Sequence, residues 1–235
     1  MRVRRALSRA INRDAIVSRV MDGQALAAGQ IATPGMFGHN PDIKPDGFDA
    51  EGAKALLAQA GHPNGFAVTL HGPNDRYIND ARIVETIAQM WTRIGVKTKV
   101  ETLPSATYFS RRDSGGERKT PEFSALLGGF GTATGETMSQ HWMLVRTTEK
   151  EKALGHANYA RYSNVRIDSY LDEAIVTLDD AKREGMLKEI GNQYMTDVAL
   201  IPLHWQVNVW AMRADLDMPP RLMEVTHAMR IKSTK

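Results

Sequence analysis

FAVTLHGPNDRYINDARIVETIAQMWTRIGVKTKVETL, residues 66–103, reads as a strand, a helix and a second strand. Within it Ile83, Ile87, Met90, Trp91 and Ile94 recur at helical spacing and form one apolar face. After Gly95 the pattern changes to alternation, with Val96, Thr98 and Val100 on one side. The span is far too long for a hairpin and has the length of a crossover unit, so the two strands are expected to pair in parallel. A parallel pair bridged by a helix places the chain in the α/β class.

The flanking sequence fits that reading. Upstream, Asp49 is placed to cap the helix AEGAKALLAQAG, and Gly61 supplies a stop. Residues 32–47, ATPGMFGHNPDIKPDG, hold three prolines and three glycines and are expected to form a long ordered loop. At the start, Val3, Leu7, Ala10 and Ile11 give an amphipathic helix, and Asn12 caps a second one with Asp14 near its positive end. Arg2, Arg4, Arg5, Arg9 and Arg13 read as its solvated face. Downstream, residues 111–122 form a charged surface loop and FSALLGGF, residues 123–130, a strand buried on both faces. A long helical region is expected from Ile167 to about Met195, with Leu171, Ile175, Leu178, Leu187 and Ile190 inside. Residues 200–212 alternate as a strand, with Ile201, Leu203, Trp205, Val207 and Val209 on its apolar face.

Composition limits the functions available. The chain has 235 residues, 42% hydrophobic and 24% charged, an ordinary globular balance in one large domain or two small ones. A net charge of +3 with interspersed acids and bases argues against nucleic acid. The apolar runs are all shorter than the ~20 residues of a membrane helix. The absence of cysteine excludes disulfides, thiolate metal sites and cysteine nucleophiles. The Arg-rich first twenty residues lack the apolar core of a secretory signal.

Chemistry turns on LLGGFGTATGETMSQHW, residues 126–142, a glycine-rich stretch ahead of a possible helix. A nucleotide-triphosphate loop needs four residues between its glycines, then Lys. Here Gly131 and Gly135 enclose three residues, and Glu136 stands where the lysine belongs, so a phosphate would be repelled. Gly129, Gly131 and Gly135 are also too widely spaced for a dinucleotide fingerprint. No nucleophile-elbow or zinc-helix motif occurs. The seven histidines lack an i, i+4 pair, so neither metal nor cofactor is expected. The acid pairs Asp172–Glu173 and Asp179–Asp180 read as solvated helix faces. What remains is a strand end bearing Phe130, Thr132, Thr134, Glu136 and Thr137. It is either a ligand wall that needs bare backbone, or a tight turn with positive φ at Gly135 and Phe130 in the core.

Five ordered segments resemble one family. VRRALSRAINRDAIV is similar to the R-x-A-I-x-x-A-I-D-R-x-x-I helix pair of the extracellular solute-binding proteins of family 5, the peptide, dipeptide and nickel-type receptors of ABC importers. FDAEGAKALLAQAGHPNGFAVTL, IAQMWTRIGVKTKVE, NYARYSNVRIDSYLDEA and ALIPLHW resemble four further segments of that family. The resemblance implies a periplasmic-binding-protein-like fold of type II, cluster C, with a mixed sheet flanked by helices. It implies that residues 1–200 form the C-terminal ligand-binding lobe, and that residues 201–235 are a crossover strand and tail returning to an N-terminal lobe. By the same resemblance, a region of comparable length and a signal precede the first helix in the whole protein, and an exposed inter-lobe face could promote dimers.

The family carries G-W-x-x-D-x-x-D-P at this strand end, and its first Asp meets a peptide's α-ammonium. The resemblance sets Phe130 at the Trp, Ala133 at the first Asp and Glu136 near the second. An unpaired buried charge costs about 3–5 kcal/mol, so either Glu136 supplies the acid or the ligand lacks a free amine there. The implied ligand-binding set is Phe130, Gly131, Thr132, Ala133, Glu136, Trp142 and Trp205, with Arg161, His204 and Gln206 as outer candidates. The implied function is capture of a small solute, an oligopeptide or a non-peptide such as an opine, glycan fragment or metal chelate. Delivery would be to ABC permease subunits, at the periplasmic or extracellular face, without catalysis. An unfamiliar enzyme would instead need a coupled pair such as Glu136 beside His141.

Overall fold

The computed structural model describes residues 1–114, 122–132, 134–220 and 225–234. Its centre is the predicted crossover. Strand β2 (Ala67–Pro73) and strand β3 (Lys97–Leu103) pair in parallel in register from Ala67↔Lys97 to Pro73↔Leu103, joined by helix α4 (Asp80–Arg93). The apolar stripe forms the helix because it has somewhere to go: Ile83, Val84, Ile87 and Trp91 are buried against the sheet. Each such side chain contributes roughly 1.5–3 kcal/mol. The Trp91 indole also donates to the Leu7 carbonyl at 3.0 Å, tying α4 to helix α1 (Arg2–Arg9).

Strand β4 (Ala125–Leu126) completes a parallel sheet of order β3-β2-β4. It is shorter than the predicted strand 123–130 and half-buried, not buried on both faces. The ladder ends after the Leu127 amide, which donates to His71 O at 2.8 Å. The next donor on β2 would be Pro73, which has no N–H, and the Tyr108 hydroxyl on helix α5 (Ser105–Ser114) donates to the Leu127 carbonyl instead, at 2.6 Å.

Ahead of the sheet, Asn12 caps the short helix α2 (Arg13–Ala15) by accepting from the Ala15 amide. A π turn (Ile16–Val20) and strand β1 (Ala25–Ala27) follow. Helix α3 (Ala50–Gln59) is capped by Asp49 and stopped at Gly61, φ +88°. These elements share one buried cluster with α4 and the sheet. A second cluster is built from helix α6 (Met138–Leu144), helix α7 (Val165–Ala174) and helix α8 (Asp180–Thr196).

The arginine face of the first helices is not simply solvated. Arg4 donates to the carbonyls of Val198 (2.6 Å) and Asp197 (3.0 Å), and Arg5 to those of Thr196 (2.8 Å) and Met195 (3.3 Å). These carbonyls lie at and just beyond the end of α8, where cations are electrostatically favoured. Arg13 is 5% exposed, with its guanidinium hydrogen-bonded inside. The expected Ile167–Met195 helix is two helices. The β-branched run Ile175–Val176–Thr177 ends the first, and Asp179 starts the second by accepting from the Lys182 amide at 2.9 Å. Ile175 and Leu178 therefore lie outside the core, 57% and 97% exposed. Asp179→Ala is expected to cost about 1 kcal/mol of unfolding free energy in urea titration. An unchanged midpoint would mean that the break is held without the cap.

The C-terminal alternation is also shorter than predicted. Only strand β5 (His204–Gln206) forms, antiparallel to β1 in register Leu26↔Trp205. Val207 and Val209 are exposed: the Val207 amide still reaches Gln24 O at 3.3 Å, but ahead of it the chain turns at Asp22 and Gly23, φ +49° and +75°, and the pairing ends. A small ribbon of strand β6 (Leu216–Asp217) and strand β7 (Lys232–Ser233) follows.

Candidate functional site

The carboxyl ends of parallel strands are where open α/β sheets gather ligands, and here three strand ends interlock. After β2, the Asp80 carboxylate accepts from the Arg76 and Tyr77 amides, both at 3.0 Å. Asp75 accepts from the Ser105 amide after β3 at 2.6 Å. Tyr77 packs on Gly129 after β4, where a Cβ would lie 2.7 Å from the ring. That close approach, not a phosphate, is what the bare backbone at Gly129 permits.

The loop then turns at Gly135, φ +73°, a conformation that favours glycine. Thr132 Oγ1 braces the turn, donating to the Glu136 carbonyl at 3.1 Å and lying 3.1 Å from Thr134 Oγ1. The long loop of residues 28–47 seats against it: the Phe37 amide donates to Gly135 O and the Thr137 amide to Phe37 O, both at 3.0 Å. Glu136 is half-buried, and its carboxylate is 2.7 Å from the Arg183 guanidinium on α8, which also lies 5.6 Å from the Phe37 ring centre.

Of the predicted site residues, Phe130 is partly buried against the second core cluster. Gly131 is exposed and borders open space, and Thr132 forms the brace. Ala133 lies outside the described residues. Trp142 sits on α6 with Arg146 over its ring at 5.2 Å. Trp205 is reached through the 30–40 segment: its indole donates to Gln30 O at 3.0 Å and meets the His39 ring edge-on at 6.0 Å. His204 is half-buried beside it, its pKa lowered by burial, and Gln206 is exposed. Arg161 is exposed with φ +52°. Phe37, Tyr77 and Arg183 are the site neighbours that sequence reading did not single out. Tyr77 had a signal in its place just beyond a strand end; Phe37 and Arg183 are far from Glu136 in sequence and carried none.

The Glu136–His141 couple of an enzymatic reading does not form. Glu136 pairs with Arg183, while His141 is 1% exposed and edge-on to Tyr194. Its pKa is pushed down to about 3 by burial, without a carboxylate contribution. Among the described residues no group of three His, Asp or Glu gathers to hold a metal.

The parallel sheet flanked by helices is an α/β arrangement shared with periplasmic binding proteins of type II. Residues 1–152 match the family described as bacterial extracellular solute-binding proteins, family 5 Middle, and the chain belongs to that family. It is 30% identical to heme-binding protein A of Haemophilus influenzae over 197 residues, covering 80% of this chain and 33% of that one. It is 28% identical to the dipeptide-binding protein of Escherichia coli, covering 80% and 34%. The chain thus spans about a third of the length of these curated relatives. In structure it is similar to HbpA2 from Haemophilus parasuis, with TM-score 0.77, 27% identity, and 87% of this chain covered against 39% of that one. It shares the fold of the periplasmic binding protein DppA from Helicobacter pylori in complex with the peptide STSA, with TM-score 0.81, 21% identity, and 99% and 44% covered. Among the described residues no helix is long and apolar enough to cross a membrane.

Proposed function

We propose that this chain forms one wall of a solute-binding cleft and acts in capture of a peptide-like solute for an ABC importer, at the periplasmic or extracellular face. By this reading residues 1–200 are the ligand-binding lobe, and residues 201–235 carry the chain toward a second lobe. Permease subunits receive the solute, and no bond is made or broken. The observation that carries the reading is the braced loop 127–137 at the carboxyl edge of the sheet, in a chain of the solute-binding family. By this reading Phe130, Gly131, Thr132 and Glu136 form the wall, with Trp142 and Trp205 at its margins. Two relatives named for heme and for dipeptides show how far ligand class varies around this framework.

The second reading, a solute without a free amine at this point, is favoured by one contact. The Glu136 carboxylate already has a cation in Arg183 at 2.7 Å, so it offers a ligand ammonium less than an unpaired acid would. Native mass spectrometry of the protein in the longest form its cells make, purified gently from the cell envelope, separates the two. A ladder of bound masses spaced by amino-acid residues is the expected result. One non-peptide mass assigns the second reading, and a protein that neither retains nor takes up any solute overturns both.

A further inference from the structure

Strand β3 lies at one edge of the three-stranded sheet. The Lys97 amide donates to Phe66 O and the Leu103 carbonyl accepts from the Asn74 amide, so the odd-numbered residues of β3 turn their backbone toward β2. Thr98, Val100 and Thr102 therefore aim their N–H and C=O groups outward, and among the described residues no strand pairs with them. A groove of about 450 Å³ runs along this edge, lined by Thr98 and Val100 from β3 and by Glu85, Gln89 and Arg93 from α4.

We propose that this edge docks a second copy of the chain, with β3 pairing antiparallel to the partner's β3 about a twofold axis at Val100. The charge pattern fits a copy of itself twice over. In KTKVETL, residues 97–103, that register sets Lys99 opposite the partner's Glu101 and Glu101 opposite the partner's Lys99, with Thr98 facing the partner's Thr102 and Val100 facing itself. The three outward-facing positions meet as hydrogen-bonded pairs. Sliding the register by two residues would set Lys99 against the partner's Lys99, or Glu101 against the partner's Glu101. Edge lysines normally discourage strand pairing. Here the first of these slides keeps two Lys97–Glu101 pairs but adds a Lys99–Lys99 contact, and the second has only a Glu101–Glu101 contact. The register centred on Val100 alone has opposite charges without a like-charge pair.

The helix above the edge repeats the arrangement. Glu85, Gln89 and Arg93 are exposed and spaced four apart, hence on one face of α4. Neither Glu85 nor Arg93 has an ion-pair partner among the described residues. Their midpoint is Gln89, so the same twofold that inverts β3 brings antiparallel α4 helices together with Glu85 opposite the partner's Arg93. The result is a closed, isologous contact that continues the sheet across two chains. Glu101 keeps its own Arg111 at 2.6 Å, and Lys99 of the partner adds a second cation to it.

Sedimentation velocity of the chain over a micromolar-to-millimolar series at low salt tests this. A concentration-dependent dimer is expected. Glu85→Arg and Arg93→Glu each create two like-charge contacts and should weaken it about tenfold or more. Mixing the two variants in equal amounts should restore dimerisation, as heterodimers with every charge paired. Both side chains are exposed, so circular dichroism should be unchanged. A chain that stays monomeric throughout, or a dimer indifferent to both substitutions, overturns the proposal.

Discussion

Replacing Arg13 with methionine is expected to lower the unfolding free energy by about 3 kcal/mol, far more than a surface arginine. Arg13 donates through Nε to Pro202 O at 2.8 Å, through Nη1 to Ser8 O and Asp46 O, both at 3.2 Å, and through Nη2 to Ser8 Oγ at 2.9 Å. Burial depresses its pKa, and the nearby Asp46 carboxylate partly offsets that. Methionine fills the space of the stem but takes the donor from Pro202 O and Asp46 O, while Ser8 O keeps only the Ile11 amide at 3.2 Å. Each buried unsatisfied group costs about 1–3 kcal/mol, partly recovered because a buried charge is no longer held out of water. The three segments bridged are α1, the 40s loop and the approach to β5. The substitution should therefore also raise hydrogen exchange in residues 200–206, the segment that carries Trp205. Arg9→Ala is the matched control: its partner Asp49 is 3.7 Å away and both side chains are more than 40% exposed, so a change within about 0.5 kcal/mol is expected. Urea titration of the two variants decides it, and equal losses would mean that the buried guanidinium fan is not what ties these segments together.

Arg13 also shows where sequence reading stops. Periodicity placed α1, α3, α4 and both crossover strands correctly, because those patterns are local and their apolar faces need only a partner surface. The crossover unit then settles the parallel pairing, since residues 66–103 allow little else. Arg13 looks like its neighbours Arg5 and Arg9 in one dimension, and its burial follows from Ser8, Asp46 and Pro202 converging on it in space. The misread boundaries have the same origin. Leu178 fits a continuous helix by spacing, yet Asp179 offers the backbone a better start one residue later. Val207 and Val209 fit a strand by alternation, but the chain ahead of β1 turns at Asp22 and Gly23, so pairing stops after the Val207 amide meets Gln24 O. At the candidate site the glycines were legible as a need for bare backbone, which Tyr77 and the turn at Gly135 explain. The cation facing Glu136 was not, because Arg183 belongs to a helix whose face is set only when α8 packs on α6 and α7.

Acidification should unfold this protein through His141, and His141→Gln should remove much of that sensitivity. His141 lies on α6, wholly buried against Tyr194 of α8, and its Nδ1 has no hydrogen-bond partner. Burial alone holds its pKa at about 3, against 6.5 for an ordinary imidazole. The sign follows from linkage: between those values the unfolded chain binds a proton that the folded chain refuses, so the neutral ring's contribution is complete above pH 6.5 and is lost as pH falls toward 3. At about 1.4 kcal/mol per pH unit the whole window is worth about 5 kcal/mol. His39, His71 and His204 are also depressed by burial and act in the same direction, but they are present in both proteins and cancel in the comparison. Glutamine keeps a polar side chain of similar reach without a titrating group. Its own cost is constant with pH, so the two stability curves should approach each other, then cross, on the acid side. Urea midpoints measured from pH 7.5 down to the acid limit of folding give both slopes. Parallel curves would mean that His141 is protonated in the fold and that α6 opens to water there. Convergence would mean that a neutral imidazole holds α6 on α8, and with it Trp142 and the end of the candidate wall.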